Sequence, residues 1–170
     1  MKRAQQGLGD FIARYSPEIA SDLRAARKHL RTRFPRGYEL VYDNYNALAF
    51  GFSPTPRASD VIVSVAGYPQ WATLFFLKGT RLADPERVLQ GSGSTVRSVR
   101  LQPRSVLRSA PVQALLDAAI APHAAALEAA PRLSTIIKSI SARQRPRRPT
   151  GVAAGVARAK PRKRTRASAK

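Results

Sequence analysis

The sequence predicts an α+β fold of two layers, an antiparallel sheet of about five strands with N- and C-terminal helices packed on one face, followed by a disordered basic tail. Three observations lead there. An amphipathic helical pattern runs through residues 16–33, and a second one starts at Ser109. Between them, residues 38–102 carry short runs of β-branched and aromatic side chains separated by turn-formers. After residue 142 the chain holds neither an aromatic residue nor Leu or Ile.

Ser16-Pro17-Glu18 is a helix start. A serine hydroxyl accepts a bond from the free N–H groups of the first turn, and proline suits the first helical position. Ile19, Leu23, Ala26 and Leu30 then fall on one helical face. Arg24, Arg27, Lys28 and Arg31 make a basic stripe, read either as a solvated face or as a surface for phosphate. Pro35 disfavours helical continuation, which predicts an end near Arg33.

Strands are predicted at residues 38–42, 45–52, 61–66, 71–77 and 95–101. Asp43-Asn44, Ser53-Pro54-Thr55-Pro56, Gly67-Tyr68-Pro69-Gln70 and Gly91-Ser92-Gly93 are the breaks. Short links between consecutive strands favour an antiparallel meander, because parallel strands need a long crossover. Only the link from Leu77 to Thr95 is long. Val112, Leu115, Leu116, Ala119 and Ile120 mark the second helix up to Pro122. Residues 123–142 read as a weak helical extension, with Leu133, Ile136, Ile137 and Ile140 as a short apolar stripe.

Charge is distributed unevenly. Residues 1–130 hold 17 Lys and Arg and all 10 acids, whereas residues 131–170 hold 13 Lys and Arg and no acid. The tail, residues 143–170, cannot bury enough apolar area to offset chain entropy, so it is expected to stay disordered. Its cations, Arg143, Arg145, Arg147, Arg148, Arg158, Lys160, Arg162, Lys163, Arg164, Arg166 and Lys170, can each displace a condensed counterion from a phosphate backbone. Nucleic acid, DNA or RNA, is therefore the expected partner, bound without sequence specificity. Anionic lipid is a weaker rival, since the tail has no Trp or Phe to insert.

The chain has no cysteine, which excludes disulfides, thiolate metal sites and cysteine nucleophiles. No stretch approaches the ~20 apolar residues of a membrane span, and no apolar run of signal-peptide length follows Met1-Lys2-Arg3. A soluble cytoplasmic protein is expected.

The middle of the chain carries Phe75-Phe76-Leu77-Lys78-Gly79, Leu82-Ala83-Asp84-Pro85, Leu89-Gln90-Gly91-Ser92-Gly93 and Val96-Arg97-Ser98-Val99-Arg100-Leu101 in that order. Over residues 8–122 this resembles the YdhG-like family, a bacterial domain of unknown function. The resemblance implies a compact α+β domain over that span. It also implies an alternative function, since one branch is described as an iron chaperone that resembles frataxin in shape. Hard iron ions favour carboxylate or imidazole ligands. The domain has no visible acidic ridge, and its two histidines, His29 and His123, fall on different helices, so no metal site and no cofactor is expected.

Two loops are candidate ligand sites. Gly91-Ser92-Gly93-Ser94 can turn its N–H groups to one point as an anion nest, with Arg97 on the following strand. Alternatively Arg97 pairs with Asp84 or with loop carbonyls and pins the long connection. Tyr42-Asp43-Asn44-Tyr45-Asn46 can line a small-molecule pocket through Tyr42 and Asn46. Alternatively it is a hairpin whose Asp-Asn pair tolerates positive φ. Trp71, Phe75 and Phe76 read as core. No nucleophile, base and orienting group are arranged together, so the domain is expected to bind and not to catalyse.

Overall fold

A computed structural model of the chain describes residues 2–149. Helices α1 (Lys2–Ala13) and α2 (Pro17–Arg33) lead into strands β1 (Tyr38–Asp43), β2 (Leu48–Ser53), β3 (Val63–Gly67), β4 (Ala72–Phe76) and β5 (Arg97–Arg100). Helices α3 (Ala110–Ile120) and α4 (Ala124–Ala129) follow, and then strand β6 (Ser134–Ile140). The sheet order is β5-β4-β3-β2-β1-β6. Strands β1 to β5 form the antiparallel meander that the short turns predict, and β6 adds to β1 in parallel. The architecture is therefore α+β, with a mostly antiparallel open sheet and helices against it. No described helix is long and apolar enough to cross a membrane.

Helix α2 begins where the sequence places it. The Ser16 hydroxyl accepts a hydrogen bond from the Ile19 N–H at 3.4 Å, and Pro17 takes the first helical position. Ile19, Leu23, Ala26 and Leu30 are buried as one stripe. Helix α1 adds Leu8, Phe11 and Ile12 to the same core, and Tyr15 just after it is fully buried. The Tyr15 hydroxyl donates to the Gly67 carbonyl at 2.7 Å and accepts from the Leu48 N–H at 3.0 Å, which ties the linker between α1 and α2 to two strands. Gly67 also lets α2 pack closely on β3, since a Cβ there would lie 2.7 Å from Cδ1 of Leu23.

One face of the sheet carries Val41, Leu48, Phe50, Phe52, Val63, Val65, Leu74, Phe76 and Val99 into the core. Leu40, Gly51, Ser64 and Phe75 stand in register on the other face. Phe75 and Trp71, both expected in the core, are only half-buried.

On β1 the core-facing positions beside Val41 are acids. Glu39 is fully buried and Asp43 is 1% exposed. Arg27 donates to both Glu39 oxygens, at 2.7 and 2.8 Å, and Arg31 donates to Oε2 at 2.7 Å. The Thr135 hydroxyl on β6 donates to the same oxygen at 2.6 Å. Arg27 and Arg31 thus turn toward the sheet, and of the expected basic stripe only Arg24 and Lys28 remain exposed.

Residues 134–140, expected as part of a helical extension, form a strand instead. Their Ser-Thr-Ile-Ile start suits a pleated surface, and β1 would otherwise leave a row of backbone groups unpaired at the sheet edge. Strand β6 and helix α1 also carry the folded unit beyond the expected span of residues 8–122. In the long link after Leu77, Asp84 accepts from the Val88 and Leu89 N–H groups at 3.0 and 2.8 Å and organises the turn.

Two predictions follow from this architecture. A chain ended after residue 149 should keep the melting temperature of the full chain. One restricted to residues 8–122 should lose its cooperative thermal transition, because β1 loses its neighbour and Glu39 loses Thr135. Calorimetry on the two truncations decides this. Second, Glu39→Ala should destabilise by about 3 kcal/mol at pH 7, since it strands two arginine charges that are mostly buried. Burial is the strongest single influence on Glu39 and raises its pKa, but the arginine and threonine contacts together outweigh it and hold the pKa below the ordinary 4.5. A depressed carboxylate pKa stabilises above the unfolded value, and that contribution is lost as pH falls through the folded one. The gap between wild type and Glu39→Ala in urea melts should therefore shrink only below pH 4.5.

Candidate nucleic-acid interface

The direction of the strands gathers one set of turns at one end of the sheet. The β1–β2 turn at residues 44–47, the β3–β4 turn at residues 68–71, and the C-terminal ends of β5 and β6 all lie there. The chain leaves β6 at this end and enters its basic segment.

The first part of that segment is docked. This corrects the expected boundary of the disordered tail at residue 143. The Ser141 N–H donates to the Asp43 carbonyl at 2.8 Å, and the Arg145 N–H donates to the Tyr45 carbonyl at 2.9 Å. Arg147 is only 4% exposed, and its Nη2 donates to Asp43 Oδ1 at 2.8 Å and to the Asn44 carbonyl. Gln144 Nε2 and Arg14 Nη1 donate to Asp43 Oδ2 at 2.6 and 3.0 Å. Arg148 Nε donates to the Tyr15 carbonyl at 3.2 Å. The physical reason is Asp43 itself. A buried carboxylate needs partners, and Arg147 and Gln144 supply them from this segment.

With Arg147 turned inward, its neighbours turn outward. Arg143, Arg145 and Arg148 are exposed, and none of them has an ion-pair partner among the described residues. Arg145 lies over the ring of Tyr45 at 5.7 Å, and Tyr45 is 48% exposed. Across the same end, Arg100 lies over Trp71 at 4.6 Å, with Tyr68 tilted against the indole. A groove of about 340 Å³ at this end is lined by Trp71 together with Arg145 and Arg148. Cations, aromatic faces and a groove are thus gathered at one end of the sheet.

The two loop candidates are not brought together. Arg97 is on β5 and Tyr42 on β1, four strand spacings apart, which is about 19 Å. Arg97 Nη1 donates to the carbonyls of Gly93 and Val96 at 2.5 and 2.8 Å, and so pins the long connection. Gly91, Ser92, Gly93 and Ser94 are exposed, with Gly91 at φ +112°. Tyr42 is half-buried and Asn46 exposed. The turn closes through Asn44 N–H to Ala47 carbonyl at 3.0 Å, with no positive φ at Asp43 or Asn44. Among the described residues, no three His, Asp or Glu side chains gather as metal ligands. Arg158, Lys160, Arg162, Lys163, Arg164, Arg166 and Lys170 lie outside the described residues.

Residues 143–148 look uniform in sequence, and nothing in their composition marks one arginine as an anchor. The available signal is Asp43, which with Glu39 is one of two acids among the apolar and aromatic residues of β1. Comparison with known proteins finds no family model, no curated protein and no solved structure that matches the chain.

Asp43→Ala should release this segment. It leaves the buried Arg147 guanidinium without its counter-charge, a change that costs about 3–5 kcal/mol. Limited trypsin digestion read by mass spectrometry should show cleavage after Arg143 and Arg147 at protease levels that leave these bonds intact in the wild type. Equal protection in both proteins would contradict the anchoring role.

Proposed function

We propose that the chain binds nucleic acid through the phosphate backbone, without reading its sequence. The observation that carries this reading is the positive run that starts on the fold and continues to the C-terminus. Residues 131–170 hold 13 Lys and Arg and no acid, and Arg147 anchors the run while Arg143, Arg145 and Arg148 stay exposed. Each such cation releases counterions from a polyanion on contact.

Sequence readout needs side chains held against base edges in a groove. The exposed arginines here extend from a segment without helix or strand, which suits backbone contact. The exposed ring of Tyr45 offers a face on which an unpaired base can stack, a contact that tolerates any base. The domain acts in this reading as a platform that presents the basic segment. The YdhG-like resemblance is compatible with such a role, and the iron-chaperone alternative has no gathered ligand set among the described residues to support it.

If about six to eight cations engage duplex DNA, log K should fall against log salt with a slope of about −5 to −7. Ending the chain after residue 149 removes seven Lys and Arg and should reduce the slope to about −3, the share of Arg143, Arg145 and Arg148. Fluorescence anisotropy with two unrelated oligonucleotides across salt measures both. A truncated chain that binds as tightly as the full one, or a strong preference for one oligonucleotide, would overturn the proposal.

A further inference from the structure

The opposite end of the sheet holds a different feature. A cavity of about 570 Å³ opens between the β2–β3 loop, the short turn after β4 and the end of α3. Its apolar lining includes Ile62 and Phe76 from the core, with Leu82 and Ala119 packed against it. That size and lining are those of a small-molecule site, where a few polar groups fix orientation.

Charged groups complete the lining. Lys78 and Arg81 line the cavity and are exposed. Neither has an ion-pair partner among the described residues. His123 is half-buried beside them. Its pKa is lowered first by burial and then by the nearby Lys78 charge, so it is neutral at pH 7 and can donate or accept a hydrogen bond. The one acid of the lining is Asp60, whose oxygens are engaged by the hydroxyls of Thr55 at 2.5 Å and Ser59 at 2.9 Å. Two unpaired cations against one hydrogen-bonded acid give the cavity a net positive lining beside its apolar side chains.

We propose that this cavity binds a small amphipathic carboxylate, with its hydrocarbon body on Ile62, Phe76, Leu82 and Ala119 and its carboxylate on Lys78 and Arg81. The guanidinium of Arg81 matches a carboxylate in a fork, and Lys78 adds a second charge. A neutral chain of equal length loses these contacts, and a small inorganic anion loses the apolar ones. Neither Arg97 nor Tyr42 belongs to this site, and it stands apart from the basic end of the molecule, so it does not depend on nucleic-acid binding.

The test uses the full chain and octanoate as the probe, with octanol as its neutral counterpart, in titration calorimetry. Octanoate should bind saturably at one site, and octanol at least tenfold more weakly. Arg81→Met and Lys78→Met should each weaken octanoate tenfold or more. Ala118 lines the cavity and is exposed, so Ala118→Phe should block the site while leaving the thermal transition in place. Lys28→Met, on an exposed face of α2 outside this site, should change nothing. Failure of octanoate to bind, equal binding of octanol, or undiminished binding in folded Ala118→Phe would each overturn the proposal.

Discussion

Two carboxylates buried on one face of β1 set the arrangement of the chain around them. Glu39 and Asp43 flank Val41 on the side of the sheet that packs against the helices. An ionised group in that position is tolerated only with opposite charge and hydrogen bonds to meet it. Glu39 takes Arg27 and Arg31 from α2 and Thr135 from β6. Asp43 takes Arg14 from the end of α1, and Gln144 and Arg147 from the segment after β6. These contacts join residues 29 to 104 positions apart in sequence at Asp43 alone. They settle which way α2 turns its arginines, where the last strand lies, and where the basic segment begins.

The consequence is a molecule with two dissimilar ends. Strand direction puts the β1–β2 and β3–β4 turns, the aromatic–arginine contacts and the exit of the basic segment at one end. The other end has the β2–β3 loop, the turn after β4 and the cavity beside α3. The first end is polar, channelled and rich in charge, the chemistry that suits a polyanion. The second couples an apolar floor to a few cations, the chemistry that suits a small amphipathic anion. The six-stranded sheet lies between them.

Much of this fold was legible in the sequence, and the parts that were not have physical causes. Helix α2 was readable because Ser16, Pro17 and the stripe of Ile19, Leu23, Ala26 and Leu30 all agree. The meander was readable from its turn residues. Helix α1 is hard to see in the sequence, although Leu8, Phe11 and Ile12 have helical spacing, because Gly7 and Gly9 dilute the pattern. Strand β6 resembles a helix in sequence because Leu133, Ile136, Ile137 and Ile140 fit helical spacing, and short apolar runs are ambiguous until a partner strand decides. The candidate site was harder. In β1, alternation places Tyr38, Leu40 and Tyr42 on one face and Glu39, Val41 and Asp43 on the other. Hydrophobicity alone sends the first set inward, whereas the acids face the helices because arginines from other elements meet them there. Without that pairing, Arg27, Arg31 and Arg147 look like any other surface cation.

The same logic separates anchoring charge from available charge. Arg27, Arg31 and Arg147 are committed to Glu39 and Asp43, while Arg143, Arg145 and Arg148 are displayed where the chain leaves the fold. Recognition of a phosphate backbone at this end is the central claim, and hydrogen exchange of the full chain with and without a single-stranded oligonucleotide tests it most directly. Slower exchange is expected at residues 143–149 and in the turns at 44–47 and 68–71, with residues 54–62 and 78–82 unchanged. Protection confined to the cavity end or to α2, with residues 143–149 exchanging as freely as before, would contradict it.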